Sequence, residues 1–312
     1  MTGEAAFIAA LRRIVQHPGA RNLLDDAAVI APPVGRELVI THDMIAEGVH
    51  FLPDDPPGDV AWKLLAVNLS DLAAKGAKPI GAVLGYTLAG DSNWDEVFVA
   101  GLSRALEHFD VPLLGGDTIS LKPGTPRTLG LTALGEAAAP VPDRRGARAG
   151  DILWVCGTIG DAGLGLRIAR GEIEGPRKLL KAYRLPMPKL REGRALAQFV
   201  TAMADVSDGL LIDAARIAEA SGLAATVDLD RMPMSDDART CGDDRAARLT
   251  AATSGDDYAL LFAADPSAGD AITALNIGAV AIGDFAPGAG LMLRDAEGPI
   301  PLPETLGYLH GN

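Results

Sequence analysis

Aspartates that stand beside apolar or glycine-rich segments are the residues of this sequence whose type and position could do chemistry. Six of them are Asp26, Asp43, Asp71, Asp117, Asp205 and Asp208. Carboxylate oxygens are the ligands that Mg²⁺ prefers, usually one or two per ion, with water and phosphate completing the coordination shell. Six candidates therefore indicate several ions. Several ions make sense around a heavily charged ligand, so the chemical inference is a site for a metal-bound nucleoside triphosphate.

The aspartates of the first half lie in segments with few other polar residues. Asp43 ends an apolar strand in ITHDMIAEGVHF, and Asp117 follows a strand and two glycines in VPLLGGDT. Asn68 and Asp71 share one face of a helix in VNLSDLAAKGAKP. Asp71 could instead pair with Lys75, and Asp43 and Asp117 could cap turns. Capping explains each site singly but explains the set poorly, because α/β proteins place their ligands at strand ends.

The second half carries two further acidic segments. DVSDGLLIDA places Ser207 between two aspartates, just before a helix predicted over 209–221. Ser207 or Asp208 could be the N-cap of that helix, which is a structural role. A helix N-terminus also favours phosphate through its free N–H groups and its dipole, so a cap residue could bind ligand as well. Further on, SGDDYALLF places Asp256 after a glycine and before a strand.

The usual signatures of nucleotide enzymes are missing. No lysine precedes Ser or Thr, so no GxxxxGK[ST] motif exists and a P-loop enzyme is excluded. The HRD…N and DFG set of protein kinases is absent too. The glycine-rich stretch GTIGDAGLGL (157–166) does not match the dinucleotide fingerprint. We interpret it as a tight turn from a strand into a helix, with phosphate contact as the alternative.

Charge and cysteine content narrow the function further. The sequence has 28 basic and 41 acidic residues, a net charge of −13, which disfavours a nucleic-acid partner. Cys156 and Cys241 cannot form a disulfide framework, and the five histidines lack zinc-site spacing. No segment approaches the roughly 20 apolar residues of a membrane span. Glu4 precedes Arg12 and Arg13, the reverse of a secretory signal, so we expect a cytoplasmic protein.

Two mixed α/β halves are predicted to position these residues. In the first half, after an opening helix, helices are expected at 59–75 and 94–109 and strands at 37–41, 80–88 and 128–134. In the second half, helices are expected at 162–170, 189–201 and 209–221, and strands at 151–155, 224–229, 258–263 and 279–282. The segment AAAPVPDRRGARAG (137–150) is the candidate connection between the halves.

Taken in order, the motifs resemble those of a known family. LDDAAV, THDMIAEGVHF, VNLSDLAAKGAKP, GGDT, RRGARAGD, GTIGDAGLGL, DVSDGLLIDA and SGDDYALLF are together similar to the motifs of the bacterial thiamine-monophosphate kinases. That family belongs to the superfamily of aminoimidazole ribonucleotide synthetase and selenophosphate synthetase. The resemblance implies two α/β domains. Residues 1–137 would bind ATP and Mg²⁺ and dimerise through their sheet, and residues 138–312 would cover the active site.

The activity that the resemblance implies is phosphoryl transfer from ATP to thiamine monophosphate, giving thiamine diphosphate and ADP, in a homodimer. The positions that match the family's contacts to several Mg²⁺ ions are Asp26, Thr41, His42, Asp43, Asp71, Asp117, Asp205 and Asp208. Those that match its ATP contacts are Gly116, Asp117, Arg144 and Ser207. Those that match its thiamine-phosphate contacts are His50, Asp256 and Tyr308.

Three positions depart from the family's pattern. Leu24 stands where the family usually has glycine, so a positive φ there would strain the loop. Asp256 replaces a usual glutamate and is one methylene shorter, so its contact with substrate would be lost or bridged by water. His42 replaces a usual threonine, although its backbone carbonyl could still bind a metal.

Two alternatives stay open at this point. Another enzyme of the superfamily would share the fold and the ATP site. Selenophosphate synthetase generally carries a reactive cysteine or selenocysteine near its N-terminus, however, and this sequence has no cysteine before Cys156. A regulatory protein that binds metal or nucleotide would fit if Leu24 and Asp256 mark a decayed active site.

Overall fold

The computed structural model describes residues 3–122 and 124–309. The chain divides into two compact units, each with helices and a mixed β-sheet, as the sequence predicts. The first comprises the residues up to Leu72 together with Ala77–Ala139, and the second comprises Ala73–Gly76 together with the chain from Pro140 onward. The boundary at residue 139 lies within the segment that the sequence indicates as a connection.

The first unit is built on a four-stranded sheet. Its strands are β1 (Glu37–Ala46), β2 (Lys78–Leu88), β3 (Leu113–Ser120) and β4 (Thr128–Ala137). Its helices are α1 (Gly3–Ile14), α2 (Pro57–Ala74) and α3 (Ser92–Phe109), with a 3₁₀-helix at Pro18–Leu23. The strand order is β1-β4-β2-β3, in which β4 is antiparallel to both neighbours and β2 is parallel to β3.

One face of this sheet is buried against the helices. Alternate residues of a strand point to the same side of the sheet, so the buried residues recur at every second position. Leu84 and Tyr86 of β2 are buried, and so are Leu65 and Leu69 of α2. Phe7 of α1 stacks on Tyr86 with the ring centroids 4.0 Å apart. That contact fixes α1 against β2, next to the edge strand β3.

The other face of the sheet is exposed and largely apolar. We call it the open sheet face, and its apolar residues are Leu38, Ile40, Met44, Val83 and Ile119. Ile40 of β1 is 60% exposed, and Ile119 of β3 is 56% exposed. Contiguous apolar patches of this kind are rare on proteins that act alone, so this face is a candidate for contact with another chain.

The second unit is built on a seven-stranded sheet of order β11-β10-β7-β9-β5-β8-β6. Its strands are β5 (Ile152–Cys156), β6 (Ala202–Asp205), β7 (Leu223–Asp228), β8 (Leu260–Ala264), β9 (Ala279–Pro287), β10 (Gly290–Asp295) and β11 (Gly298–Ile300). Its helices are α4 (Asp161–Ala169), α5 (Arg177–Arg184), α6 (Leu190–Leu196), α7 (Leu210–Ser221), α8 (Asp236–Arg239), α9 (Arg245–Thr253) and α10 (Gly269–Ala274). Short 3₁₀-helices lie at Leu229–Arg231 and Pro266–Ala268.

The ends of β5 and β6 and the start of β8 lie at the same edge of this sheet. Cys156 at the end of β5 lies opposite Leu260 at the start of β8, and Leu260 lies opposite Asp205 at the end of β6. Apolar clusters pack on both faces, which explains why these strands are apolar throughout. The edge therefore carries the polar segments that follow β5 and β6 and that precede β8.

Two differences from the predicted elements bear on function. The sequence predicts that β1 ends at Thr41, whereas β1 continues to Ala46 because it pairs with β4 along its whole length. The helix predicted over 189–201 is the shorter α6. Elements too short to show a periodicity, such as β6, are not predicted. In the described part of the chain, no helix combines the length and apolarity that a membrane crossing requires.

Candidate functional site

Four side chains from β1 and α2 form the first set of candidate ligands, which we call the β1–α2 group: Thr41, Asp43, Asn68 and Asp71. The Thr41 hydroxyl donates a hydrogen bond to the Asp71 carboxylate. The backbone N–H of Asp43 donates to Asn68 Oδ1 at 2.9 Å. Asn68 is fully buried, and its amide also donates to the Leu64 carbonyl at 2.9 Å, which fixes its orientation. Asn68 and Asp71 therefore lie on one face of α2, as predicted, and the structure shows that this face contacts β1.

His42 points away from the β1–α2 group. Its Nδ1 lies 2.9 Å from Thr132 Oγ1, on the side of the sheet that carries the open sheet face. Strand alternation places Thr41 and Asp43 on the other side. The His42 imidazole therefore cannot join this group, which leaves its backbone carbonyl as the atom that could contact a metal there.

Turn capping by Asp43 or Asp117, the structural alternative for these two aspartates, does not fit the strands in which they lie. Lys75, the alternative partner of Asp71, donates to a backbone carbonyl of β6 at 3.3 Å. Asp43 lies inside a strand and caps no turn. Asp117 also lies inside a strand, where its carboxylate accepts a local hydrogen bond from the backbone N–H of Thr118 at 2.9 Å.

A pocket of ≈ 220 Å³ in the first unit brings together candidates that are far apart in the sequence. Its acidic lining residues are Glu4, Asp25, Asp26 and Asp117, and Gly116 lies next to Asp117. Its inner wall is apolar and consists of Phe7, Ile8, Leu11, Leu84, Tyr86 and Leu114. An apolar wall with a few polar groups at the rim is the composition typical of small-molecule sites.

Gly116 is required by a close approach of two strands. A Cβ atom at this position would lie 2.4 Å from the carbonyl oxygen of Leu84, its neighbour on β2. Any side chain would therefore push β3 away from β2 next to Asp117. At Gly115, by contrast, nothing lies within 4 Å of the equivalent position.

The two candidate sets of the first unit lie at opposite edges of its sheet. β1 and β3 are the outer strands, and one row of opposed residues runs from Asp43 through Leu131 and Leu84 to Gly116. Neighbouring strands are about 4.8 Å apart, so three spacings separate the backbone of Asp43 from that of Gly116, the neighbour of Asp117, by about 14 Å. A single ion cannot bridge that distance within one protomer.

His50 is held through its ring and its backbone. The N–H of Ala46 donates to His50 Nδ1 at 3.1 Å, and the Nζ of the buried Lys63 donates to the His50 carbonyl at 2.8 Å. Because Nδ1 accepts a hydrogen bond, the proton of the neutral ring is assigned to Nε2. His50 thus carries a donor of the kind that a phosphate oxygen accepts.

The candidates of the second unit meet around one segment, residues 206–209, which we call the β6–α7 loop. The backbone N–H of Asp256 donates to the Ser207 carbonyl at 2.8 Å. The backbone N–H of Tyr308 donates to the Asp208 carbonyl at 2.9 Å. Asp205 is the last residue of β6, directly before the loop. Residues distant in the sequence are therefore joined here by backbone hydrogen bonds.

Arg144 lies in a segment that runs along β6. The carbonyl of its neighbour Asp143 accepts a hydrogen bond from the Met203 N–H at 3.0 Å. The Arg144 carbonyl accepts one from the Ser221 hydroxyl at 3.4 Å. Arg144 itself is exposed. The arginine expected from the family resemblance alone therefore lies beside the strand that ends at Asp205.

A carboxylate that sequence reasoning missed holds the β6–α7 loop. Asp213, buried in the first turn of α7, accepts hydrogen bonds through Oδ2 from the N–H groups of Ser207 and Asp208, both at 3.1 Å. The alternative that either of these two residues caps α7 is wrong, since the N-cap is Gly209 without a side-chain hydrogen bond. Burial raises the pKa of Asp213, and hydrogen bonding to Arg216 opposes that shift.

The glycine-rich turn at 157–166 is structural, as interpreted from the sequence. Asp257, directly before Tyr258, accepts hydrogen bonds from the N–H groups of Gly160 at 2.7 Å and Ala162 at 3.3 Å. These are N–H groups at the start of α4 that a phosphate would need. The carboxylate occupies them instead, and its burial raises the pKa of Asp257 well above the ordinary value.

Leu24 and Asp256, two departures from the family's pattern, differ in the sign of the backbone angle φ. Leu24 has a φ of −109°, so the backbone strain expected from a positive φ is absent at this position. The positive φ values fall on residues 21–23 instead. Asp256 has a φ of 70°. Its carboxylate accepts a hydrogen bond from the Tyr258 hydroxyl at 3.0 Å. Aspartate is among the residues that adopt this left-handed conformation most readily.

The donor set fits a cation that arrives with a phosphate ligand. Within residues 3–122 and 124–309, no three His, Cys, Asp or Glu side chains form a ready-made metal cluster. The candidates are oxygen donors that occur in ones and twos. Mg²⁺ usually binds through one or two carboxylates and completes its shell with water and phosphate oxygens. The residues present therefore fit Mg²⁺ bound together with a nucleotide.

Comparison with known proteins gives matches along most of the chain. The model for the N-terminal domain of AIR synthase related proteins matches residues 24–137, and the model for the C-terminal domain matches residues 148–292. The chain is 41% identical over 306 residues to the thiamine-monophosphate kinase of Caulobacter vibrioides, covering 94% of this chain and 86% of that protein. It is 38% identical over 285 residues to that of Salmonella typhimurium, covering 88% and 84%.

Solved structures give the same result for the fold. The thiamine-monophosphate kinase of Stenotrophomonas maltophilia K279a superposes with a TM-score of 0.79 at 36% identity, covering 87% of this chain and 89% of that one. AaThiL complexed with AMPPCP and TMP also gives a TM-score of 0.79, at 27% identity, covering 91% of each chain. These matches confirm the predicted two-domain α/β fold.

Proposed function

This chain belongs to the thiamine-monophosphate kinase family, and we propose that it transfers a phosphoryl group from ATP to thiamine monophosphate, giving thiamine diphosphate and ADP. One structural relative was solved with AMPPCP and TMP. The observation on this chain that carries the proposal is the pocket around Asp26, Gly116 and Asp117, with its acidic rim and apolar wall.

Magnesium is part of the proposal, because both substrates are anionic. The residues that would hold it, with His42 acting through its backbone carbonyl, are Asp26, Thr41, His42, Asp43, Asp71, Asp117, Asp205 and Asp208. When bound, Mg²⁺ neutralises charge on the phosphates and so reduces repulsion between the triphosphate and the anionic acceptor. The Thr41–Asp71 hydrogen bond orients the Thr41 hydroxyl and the Asp71 carboxylate, and the hydrogen bond to Asn68 fixes the backbone of Asp43.

The chain's own task is to position two phosphates, since the acceptor needs no general base. The second pKa of a phosphate ester lies near 6, so the acceptor oxygen is ionised at neutral pH. Arg144 and Ser207 would bind the nucleotide, with the Arg144 guanidinium balancing its charge. The Nε2–H of His50 would orient the acceptor phosphate, while Asp256 and Tyr308 would contact thiamine monophosphate.

A homodimer that forms through the open sheet face completes the proposal. Two observations support it. The face exposes Ile40, Met44 and other apolar side chains. Asp43 and Asp117 lie on the two outer strands of the sheet, so neither edge alone supplies every predicted ligand. Facing sheets would allow one protomer to contribute its β1 edge and its partner the β3 edge. A cytoplasmic location stays a prediction from the sequence.

A coupled assay of ADP release tests the proposed acceptor. Purified protein is supplied with ATP and Mg²⁺ and with thiamine monophosphate, thiamine or another phosphate monoester in parallel reactions. We expect turnover with thiamine monophosphate and formation of thiamine diphosphate, checked by chromatography. Turnover with unphosphorylated thiamine alone would exclude the proposed acceptor, and ATP binding without turnover would favour a regulatory protein.

A further inference from the structure

The β6–α7 loop is tied to α7 by an ion pair between the buried Asp213 and the partly exposed Arg216, which the proposed reaction does not use directly. Asp213 is 1% exposed and accepts the loop N–H groups of Ser207 and Asp208 through one oxygen. Its other oxygen, Oδ1, accepts a hydrogen bond from Arg216 Nη1 at 2.8 Å. One oxygen of this carboxylate thus binds the loop that carries two predicted ligand residues, and the other oxygen binds Arg216.

Arg216 connects this carboxylate to a predicted metal ligand. The same Nη1 that contacts Asp213 also donates to Asp208 Oδ2 at 2.5 Å. Asp208 is therefore fixed twice, through its backbone N–H by Asp213 and through one carboxylate oxygen by Arg216. The second carboxylate oxygen, Oδ1, takes no part in the contact with Arg216.

Stability alone explains this arrangement poorly. Burying an ion pair costs desolvation energy that its Coulomb attraction often fails to recover, and apolar residues of similar volume frequently replace such pairs without loss. The helix does not need Asp213 as a cap, since the carboxylate reaches back to the loop and leaves Gly209 at the N-cap without a side-chain hydrogen bond. What the pair does fix is the conformation of Ser207 and Asp208.

We propose that Asp213 and Arg216 are positioning residues for the metal–nucleotide site. This inference rests on the proposed function, because it assigns Asp208 to a cation. Asp213 shapes the loop, and Arg216 holds Oδ2 of Asp208 so that Oδ1 is presented to the cation. Asp213 also cancels the charge of Arg216, so the guanidinium does not repel the ion that Asp208 binds. Residues that orient a metal ligand in this way typically change metal affinity or activity by about 10- to 100-fold when they are replaced.

The first test is Asp213→Asn, which keeps the shape of the side chain but replaces one acceptor oxygen with a donor. Mn²⁺ is titrated into the full chain in the presence of AMP-PCP, and bound Mn²⁺ is followed by electron paramagnetic resonance. We expect affinity to fall about 10- to 100-fold. Unchanged affinity, within a factor of about two, would overturn the proposal.

A matched control uses another buried carboxylate at the opposite end of the same sheet. Asp151 is 2% exposed and accepts hydrogen bonds from the Arg148 N–H at 2.8 Å and the Thr201 hydroxyl at 2.5 Å. Asp151→Asn makes the same chemical change just before β5 begins. We expect it to lower the thermal midpoint and to leave Mn²⁺ affinity as in the wild type. An equal loss of affinity in both variants would mean that Asp213 acts only through general stability.

Arg216→Met gives a second test, in which the sign of the effect is decisive. Arg216 is about a third exposed, at 34%, so the variant is expected to fold. If Arg216 merely repelled the cation, its removal would tighten Mn²⁺ binding. If it positions Asp208, its removal weakens binding even though a positive charge is lost. Tighter binding in Arg216→Met would therefore exclude the positioning role.

The binding measurement separates this inference from the proposed function. Wild-type protein that binds Mn²⁺ and AMP-PCP but does not phosphorylate thiamine monophosphate would exclude the acceptor and leave the role of Asp213 testable as before. Wild-type protein that turns over thiamine monophosphate while Asp213→Asn keeps full Mn²⁺ affinity would exclude the inference alone. Wild-type protein that binds no Mn²⁺ with AMP-PCP would overturn both.

Discussion

Thr41 and Asp71 are joined by a hydrogen bond from the threonine hydroxyl to the carboxylate, across 30 positions of the sequence. The contact links the middle of β1 to the last turns of α2. It places the Asp71 carboxylate on the same side of the sheet as Asp43, whose backbone N–H is held by Asn68. Hydrogen bonds within the chain therefore orient this part of the site.

Asp71→Asn should nearly abolish turnover without unfolding the protein. The amide still accepts the Thr41 hydrogen bond but no longer carries the charge that a cation needs. We expect kcat at saturating Mg²⁺ to fall by at least about 100-fold, the scale of losing one electrostatic contact to a transition state. Circular dichroism and the thermal midpoint check the fold, and Asp270→Asn, an exposed aspartate of α10, is the control. Near-normal kcat in Asp71→Asn would mean that the metal assignment is wrong.

Gly116→Ala should be far more disruptive than Gly115→Ala. A methyl group at position 116 would lie 2.4 Å from the Leu84 carbonyl, whereas nothing lies within 4 Å of the same atom at position 115. We expect the first change to lower the free energy of unfolding by about 1–3 kcal/mol, as overpacking does, and to weaken AMP-PCP binding. The second should change stability by no more than about 0.5 kcal/mol. Urea denaturation of both variants makes the comparison, and equal stability would contradict the close approach of β2 and β3.

Ile40→Asp should produce a monomer if the open sheet face forms the dimer interface. The substitution places a charge in the middle of an apolar patch, where an interface would desolvate it. We expect light scattering to report a dimer for the wild type and a monomer for Ile40→Asp, with loss of turnover because each edge then lacks its partner. Val97→Asp, on the exposed side of α3, is the control and should stay dimeric and active. A dimeric, active Ile40→Asp would place the interface elsewhere.

The two cysteines should differ in reactivity, and neither should be needed for turnover. Burial raises the pKa of the Cys156 thiol to about 11, whereas Cys241 is exposed. Because the thiolate is the reactive form, Cys156 should resist iodoacetamide at pH 8 and become reactive only as the pH approaches its raised pKa. Mass spectrometry of the native protein should show one modified thiol, and Cys241→Ser should show none until urea is added. Rapid modification of Cys156 at pH 8 would contradict its burial.

The sequence predicts which residues are candidate metal ligands, but it does not predict which of them lie together in space. Asp43 is expected at the end of an apolar strand, yet pairing with β4 extends the strand beyond it to Ala46. Which residues face α2 then depends on strand alternation, which separates His42 from its neighbours. The order β1-β4-β2-β3, which places Asp43 and Asp117 at opposite edges, follows from long-range pairing that no local pattern encodes.

The second unit shows the same limit. Asp205 ends a strand of four residues, which is too short for a period-two pattern to be visible. Asp213 looks like an ordinary helical residue in the sequence, and its role depends on reaching back to two N–H groups of the preceding loop. The family resemblance identifies Asp205 and Asp208 through their motif, but it does not indicate what holds them in place.

The backbone hydrogen bond between Ser207 and Asp256 joins the β6–α7 loop to the segment that precedes β8, so a site on this loop exists only in the folded chain. The loop and the start of β8 come together only when the sheet of the second unit has formed, so a nucleotide bound at the loop selects the folded chain. A ligand at 100 times its Kd adds about 2.7 kcal/mol to the free energy of unfolding when it binds only the native state. The melting temperature of the intact protein should therefore rise with nucleotide concentration, and it offers a way to rank candidate substrates without following turnover.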